Sequence, residues 1–174
     1  MLTKEQMTVV KAARDWYRQP TTSDLKIGGL AGTGKTEVIS QLHKYLRFNS
    51  KDVAYCAYTG KAAQVLTARL RFGSAMTIHR LIYQPVEGHC EECPRRDWHE
   101  DLRIPGESEP RCHDTRCRGC STNFVLRQEL PDWMKLIIVD EASMVNEQIY
   151  NDLMQLGKPV IWVGDHGQLP PVEG

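Results

Sequence analysis

The chain has 174 residues, a length that suits a single domain with one hydrophobic core. Lys and Arg together number 22, as do Asp and Glu, so the composition lacks a broad basic surface and any contact with nucleic acid must be local. No run of about 18 apolar residues occurs, and the polar N-terminus lacks a signal-peptide core. We therefore expect a soluble, cytoplasmic protein without a membrane partner.

Hydrophobic periodicity predicts that helices alternate with strands in the first half of the chain. Thr3 and Gln6 form a capping-box pattern at the start of a helix over 4–17. The elements predicted after it are a strand over 25–28, a helix over 36–46, a strand over 52–58, a helix over 61–70 and a helical turn over 77–83. This βαβ rhythm is typical of a parallel sheet with helices on both faces.

The rhythm stops over 84–130, a cysteine-rich segment with little periodicity, and then resumes. The unbroken apolar run KLIIVD predicts a buried parallel strand over 135–140, followed by a helix over 146–156 and a strand over 160–164. The chain is therefore predicted to be a doubly wound α/β domain in two parts, 1–83 and 131–174, interrupted by an insertion over 84–130.

Residues 29–36, GLAGTGKT, match the phosphate-loop pattern GxxxxGK[ST] between a predicted strand and a predicted helix. Glycines allow the backbone to curl so that its amides and the helix N-terminus face phosphate oxygens. Lys35 is predicted to reach the β- and γ-phosphates of ATP, and the Thr36 hydroxyl to bind Mg²⁺. The predicted nucleotide-binding residues of this loop are Gly29, Gly32, Thr33, Gly34, Lys35 and Thr36.

Asp140 and Glu141 follow a predicted buried strand, at the sheet edge where such folds bind ligands. Asp140 is predicted to hold Mg²⁺, and Glu141 to orient and deprotonate the attacking water. An acidic pair of this kind is more often a solvated helix start, but a phosphate loop upstream favours the catalytic interpretation. Gln168 lies just beyond the last predicted strand, where its amide would contact the γ-phosphate; without that context it would be an ordinary loop residue.

Several segments together resemble the ordered motifs of superfamily 1 helicases, most closely those of the RecD-like branch. Motifs I, Ia, Ib, II and III are resembled by GLAGTGKT (29–36), AYTGKAA (57–63), TIHRL (77–81), IIVDEASMV (137–145) and VGDHGQLPPV (163–172). LTKEQ (2–6) is similar to the Q-motif of that family. The resemblance implies a RecA-like P-loop NTPase domain that couples ATP hydrolysis to 5′–3′ movement on single-stranded DNA and to duplex unwinding.

The resemblance also implies residue roles. Gln6 would contact the adenine edge, and Lys35, Glu141 and Gln168 would carry catalysis. The single-stranded DNA track would consist of Thr59, Gly60, Lys61, Thr77 and His79. Residues 59–61 could also be a helix cap, a role compatible with phosphate binding, while His79 by itself is more often structural.

The sequence ends two residues after motif III, so it has no counterpart of the family's motifs IV to VI. We expect a second RecA-like domain elsewhere in the intact protein or in a partner chain. Alone, this domain would bind ATP weakly and hydrolyse it slowly, because no second domain stabilises the transition-state charge. The alternative is a nucleotide-dependent module that binds single-stranded DNA or a protein without unwinding.

Four cysteines in two CxxC pairs, Cys90, Cys93, Cys117 and Cys120, predict a Zn²⁺ site in the insertion. Cys112 and His113 are further candidate ligands, and an iron–sulfur cluster also fits four thiolates. A weakly apolar insertion needs such a cross-link because a small core does not offset its ordering entropy. The remaining cysteine, Cys56, is predicted to be buried in a strand.

Overall fold

The computed structural model describes residues 2–19, 24–29, 32–70, 73–87 and 122–165. It has two compact units, the first formed by Met1–Ile82 with Arg127–Gly174 and the second by Tyr83–Leu126. The helices of the first unit are α1 (Lys4–Arg18), α2 (Lys35–Leu46), α3 (Gly60–Arg69), α4 (Ile78–Ile82) and α5 (Glu147–Gln155). Its strands are β1 (Asp24–Gly28), β2 (Val53–Ala57), β3 (Ala75–Thr77), β6 (Leu136–Asp140) and β7 (Val160–Gly164), and the second unit contributes β4 (Tyr83–Glu87) and β5 (Thr122–Leu126).

The strands of the first unit form one parallel sheet in the order β1-β7-β6-β2-β3. The predicted α/β class and parallel sheet are confirmed, and the elements predicted for this unit lie within one residue of their expected ends. Strand β3 was not predicted. Its three half-buried residues carry no periodic signal, and they become a strand only by pairing with β2.

One face of the sheet packs against α1, α2 and α3. The capping box predicted for α1 is present, because the Thr3 hydroxyl accepts from the Gln6 amide and the Gln6 side chain accepts from the Thr3 amide. The apolar core on this face consists of Val10, Ala13, Trp16, Ile27, Val38, Ile39, Leu42, Val53, Tyr55, Leu66, Leu136, Ile138, Ile161 and Val163. Every second residue of each strand thus points to this face, as the two-residue period of a strand requires.

The other alternate residues of the sheet share a second buried layer with α4 and α5. Trp162 is wholly buried, and its ring lies against that of Tyr150, with centroids 5.1 Å apart. The Tyr150 hydroxyl donates to Asp24 at 2.9 Å, which ties α5 to the edge strand β1. Helices on both faces confirm the doubly wound arrangement.

Cys56 lies in β2 with no exposed surface, and burial raises the pKa of its thiol to about 12. A thiol held in its neutral form is a weak nucleophile and a poor metal ligand. The prediction of a structural, buried cysteine is confirmed.

The second unit contains an antiparallel pair of strands, β4 and β5, in which Tyr83 is opposite Leu126 and Glu87 is opposite Thr122. Neither strand was predicted, because a short strand pair flanking a polar segment has no clear alternation. The cysteines of the predicted metal site, Cys90, Cys93, Cys117 and Cys120, lie outside the described residues, as do the other candidate ligands Cys112 and His113.

None of the described helices combines the length and apolar character needed to span a bilayer.

Candidate nucleotide-binding site

The phosphate loop joins the carboxyl end of β1 to the N-terminus of α2, as predicted. Residues 30 and 31 lie outside the described part of the chain, whereas Gly29 and residues 32–36 are described. Gly32 and Gly34 both have φ near +81°, a left-handed conformation that side chains with a Cβ rarely adopt. The curl expected from the glycines is present, and the first turn of α2 begins at Lys35.

Gly29 is required by space as well as by sequence pattern. A Cβ on this residue would lie 2.9 Å from the Thr33 hydroxyl and 3.6 Å from the Lys35 side chain. Gly34 has a positive φ, and a Cβ there would also collide with the Gln6 side-chain amide. A side chain at position 34 would be strained by its positive φ, and a side chain at position 29 would require the Thr33 hydroxyl to move.

The Lys35 ammonium donates hydrogen bonds to oxygen atoms of the chain itself. Its Nζ donates to the Gly29 carbonyl at 2.8 Å and to the Asp165 carboxylate at 2.7 Å. The Lys35 side chain is 17% exposed and that of Asp165 is 47% exposed. The ammonium therefore lies over the mouth of the phosphate loop, and its contact with Asp165 links the loop to the end of β7.

Gln6 is part of this loop's support. Its Nε2 donates to the Thr33 carbonyl at 2.9 Å while its Oε1 accepts from the Thr3 amide at 3.0 Å. The side-chain amide thus connects the N-terminus of α1 to the phosphate loop. Its predicted contact with adenine stays a prediction.

Asp140 ends β6, and its carboxylate accepts from the Glu141 amide at 3.0 Å. Burial raises the pKa of Asp140, and the neighbouring Lys35 charge opposes that rise only in part. Glu141 has an exposed side chain and φ of 55°, an unusual left-handed conformation for a residue with a Cβ. The short 3₁₀ turn Ala142–Met144 begins directly after it.

These residues fit a nucleoside triphosphate with Mg²⁺. A loop curled by two glycines with positive φ can direct backbone amides towards phosphate oxygens, and the N-terminus of α2 favours negative charge. Hydroxyl and carboxylate oxygens, from Thr36 and Asp140, are the hard ligands that Mg²⁺ prefers. The site therefore has the donor set for both parts of the ligand.

The predicted DNA-track residues follow the neighbouring strands β2 and β3. Thr59 caps α3, since its hydroxyl accepts from the Ala62 amide at 3.1 Å, and Gly60 and Lys61 form the first turn. Thr77 ends β3 opposite Ala57 of β2, so both strands end at the same level. His79, in α4, packs edge-on against Tyr58, with ring centroids 5.8 Å apart.

The structure adds two residues at this sheet edge, Asp165 and Tyr58, to those predicted from the sequence. The sequence signal for Asp165 is an acid directly after a parallel strand. Tyr58 has no signal beyond its place at the end of a predicted strand. Gln168 itself lies outside the described residues, and in the described ranges no group of three or more His, Cys, Asp and Glu residues could hold a metal ion.

The raised pKa of Asp140 predicts a trade-off between stability and metal binding. Above that pKa the folded state bears a buried charge that destabilises it, and the penalty disappears as the pH falls below the ordinary value of 3.8, where the carboxyl is neutral in both the folded and the unfolded state. Asp140→Asn should therefore raise the free energy of unfolding at neutral pH and lower Mg²⁺-dependent nucleotide affinity. Urea denaturation across pH measures the first effect. Asp132→Asn, in an exposed turn, is the control, and a less stable Asp140→Asn variant at neutral pH would contradict the assignment.

Comparison with known proteins agrees with this site. The model of the AAA domain family matches residues 1–174. The DNA replication ATP-dependent helicase/nuclease DNA2 of Saccharomyces cerevisiae is 28% identical over 153 residues, covering 83% of this chain and 10% of that protein. DNA2 of Gallus gallus is 29% identical over 154 residues, covering 84% and 15%. Protein R530 of Acanthamoeba polyphaga mimivirus is 24% identical over 189 residues, covering 98% and 33%.

The chain thus spans between a tenth and a third of the length of these relatives. The family match extends over all 174 residues and agrees with a phosphate loop and an acidic pair at the carboxyl edge of a parallel sheet. The chain belongs to the AAA domain family and is a helicase domain of superfamily 1.

Proposed function

We propose that this chain is the first RecA-like domain of a RecD-like DNA helicase, which couples ATP hydrolysis to 5′–3′ movement on single-stranded DNA and to duplex unwinding. The observation that carries the proposal is the common carboxyl edge of the parallel sheet. The phosphate loop follows β1, Asp165 follows β7, and Asp140 is the last residue of β6. Thr59 lies just beyond the adjacent β2, and Thr77 is the last residue of β3. Nucleotide residues and candidate DNA residues are thus on consecutive strands.

In the proposed reaction the loop amides and Lys35 bind the phosphates, and Thr36 and Asp140 hold Mg²⁺, which neutralises phosphate charge. Glu141 is exposed beside Asp140, a position that suits a base acting on water. Gln168 contacts the γ-phosphate. To contact adenine, the Gln6 side chain would give up its hydrogen bond to Thr3 at the start of α1 or its hydrogen bond to Thr33 in the loop. Binding of the base would therefore change the contacts between α1 and the loop.

Single-stranded DNA would lie across the starts of α3 and α4. The first turn of α3 has backbone amides directed out of the helix end, with Lys61 exposed beside them, and both favour phosphate groups. Thr59, Gly60, Thr77 and His79 complete the proposed track. A local basic element of this kind is compatible with a net charge of zero.

A functional helicase would need a second RecA-like domain, within the same protein or in a partner chain. The proteins named DNA2 continue far beyond the part that this chain matches, which supports such an extension. The transition-state charge would be stabilised from that second domain, so this chain alone would hydrolyse ATP slowly.

The insertion would bind Zn²⁺ through Cys90, Cys93, Cys117 and Cys120. The register of β4 and β5 supports this, because Glu87 is opposite Thr122 and these residues bracket the cysteine-containing segment. Cys90 is three residues beyond Glu87, and Cys120 is two residues before Thr122. Two CxxC pairs tethered so closely to adjacent strand ends would be able to reach one ion.

Nucleotide binding tests the proposal most directly. Mg·ATP should release heat on titration, and Lys35→Ala should lower its affinity by about 10- to 100-fold through loss of a charge-assisted contact. Lys44→Ala, at the exposed C-terminal end of the same helix, is the matched control. Absence of binding by the unaltered protein, or equal affinity of both variants, would contradict an ATP site.

The DNA track is tested by fluorescence titration with a labelled single-stranded oligonucleotide at several salt concentrations. Lys61→Ala should weaken binding and reduce the slope of log affinity against log salt by about one, as for one lost phosphate contact. Lys51→Ala, exposed before β2 at the opposite end of that strand, should leave both unchanged. If Lys61→Ala binds single-stranded DNA as tightly as the unaltered protein while the full-length protein unwinds duplex DNA, the proposed track is wrong. If the full-length protein binds DNA without unwinding it, the binding-module alternative is favoured.

The metal proposal predicts one equivalent of zinc in anaerobically purified protein, measured by elemental analysis together with the visible spectrum. Cys117→Ser should remove it, while Cys56→Ala, a change in the buried core, should retain it in whatever protein remains folded. If the protein contains iron and shows charge-transfer absorbance, the site holds an iron–sulfur cluster instead of zinc. If the protein contains neither metal, the proposed site is wrong.

A further inference from the structure

The ammonium of Lys35 has an anionic partner at the position proposed for phosphate. The Asp165 carboxylate oxygen lies 2.7 Å from Nζ, a distance typical of a charge-assisted contact with either carboxylate or phosphate. The second acceptor, the Gly29 carbonyl at 2.8 Å, belongs to the loop itself. Asp165 therefore makes with Lys35 the type of contact that the ligand's phosphate is proposed to make.

The two kinds of contact are not independent. Bringing phosphate charge to Lys35 while Asp165 remains bonded would place two anions beside one ammonium, with Asp140 also near enough for the Lys35 charge to lower its pKa. The Lys35 side chain is mostly buried, so solvent screens this repulsion poorly. The Asp165 side chain is nearly half exposed and can turn towards solvent.

We infer that Asp165 is an internal substitute for the phosphate ligand, which holds Lys35 over the loop in the nucleotide-free chain and must be displaced when Mg·ATP binds. Asp165 is thus a positioning residue that acts through Lys35. The inference rests on the proposed nucleotide site and adds a regulatory contact to it. It links the end of β7 to the state of the phosphate loop.

Displacement has a definite thermodynamic sign. A contact that exists only without nucleotide stabilises the free protein, so it lowers the apparent affinity for every ligand that must break it. Asp165→Asn should therefore reduce stability without nucleotide and increase nucleotide affinity. Changing a residue that supports the fold of the site would reduce both stability and nucleotide affinity, and changing a residue that helps to bind Mg²⁺ would reduce nucleotide affinity.

The experiment is calorimetric titration of Mg·ATP and Mg·ADP into the full chain, together with thermal unfolding without nucleotide. Asp165→Asn should bind both nucleotides about two- to fivefold more tightly, the range expected for a partly exposed ion pair, and should unfold at a lower temperature. Asp165→Glu, which can restore the carboxylate contact, should return towards the unaltered protein. Asp132→Asn is the charge-matched control and should change neither quantity.

A double variant separates this mechanism from a general charge effect. Without Lys35 there is no ammonium to compete for, so adding Asp165→Asn to Lys35→Ala should neither tighten nucleotide binding nor lower the unfolding temperature further. Tightening that persists in the Lys35→Ala background would overturn the inference, as would unchanged or weaker binding by Asp165→Asn alone.

The outcomes also distinguish this inference from the proposed function. If neither the unaltered protein nor Asp165→Asn binds nucleotide, the proposed function fails and the inference with it. If the unaltered protein binds and Asp165→Asn binds no more tightly, the inference alone is wrong.

Discussion

Parallel hydrogen bonding between β1, β7, β6 and β2 is the constraint on which the rest of the structure depends. Because these strands run in one direction, their carboxyl ends meet at one edge, and residues far apart in sequence become neighbours there. Lys35 and Asp165 are separated by 130 positions yet form an ion pair across this edge. The buried apolar strands provide the rigid support that such a polar edge requires.

Two residues at the carboxyl edge of the sheet have energetically unfavourable features that the packed core offsets. Asp140 carries a carboxylate that burial disfavours in its charged form, and Glu141 has a left-handed backbone conformation that costs about 1–3 kcal/mol. Asp140 is the last residue of β6, whose first four residues are buried, and Glu141 follows it directly. A strongly packed strand thus ends in two residues whose conformation and charge suit chemistry better than stability, a common feature of functional sites.

The phosphate loop is restrained from three directions. Gln6 bonds to the Thr33 carbonyl from α1, Asp165 bonds to Lys35 from β7, and the loop's own Gly29 carbonyl accepts from the same ammonium. A ligand that engages Lys35 or Gln6 would change contacts with other elements as well as with the loop. These links give nucleotide state a physical route to the first helix and to the end of β7.

The sequence by itself determined the order and extent of the main helices and strands, because helical and strand periodicities and the capping pattern at Thr3 are local properties. It also identified the phosphate loop and the acid at 140, since each is recognisable from its own short segment. Only the tertiary structure decided that β3 is a strand, that the Gln6 amide supports the loop, and that Asp165 holds Lys35. Each of these depends on a contact between distant segments, and local composition does not encode which groups the parallel sheet brings within hydrogen-bonding distance.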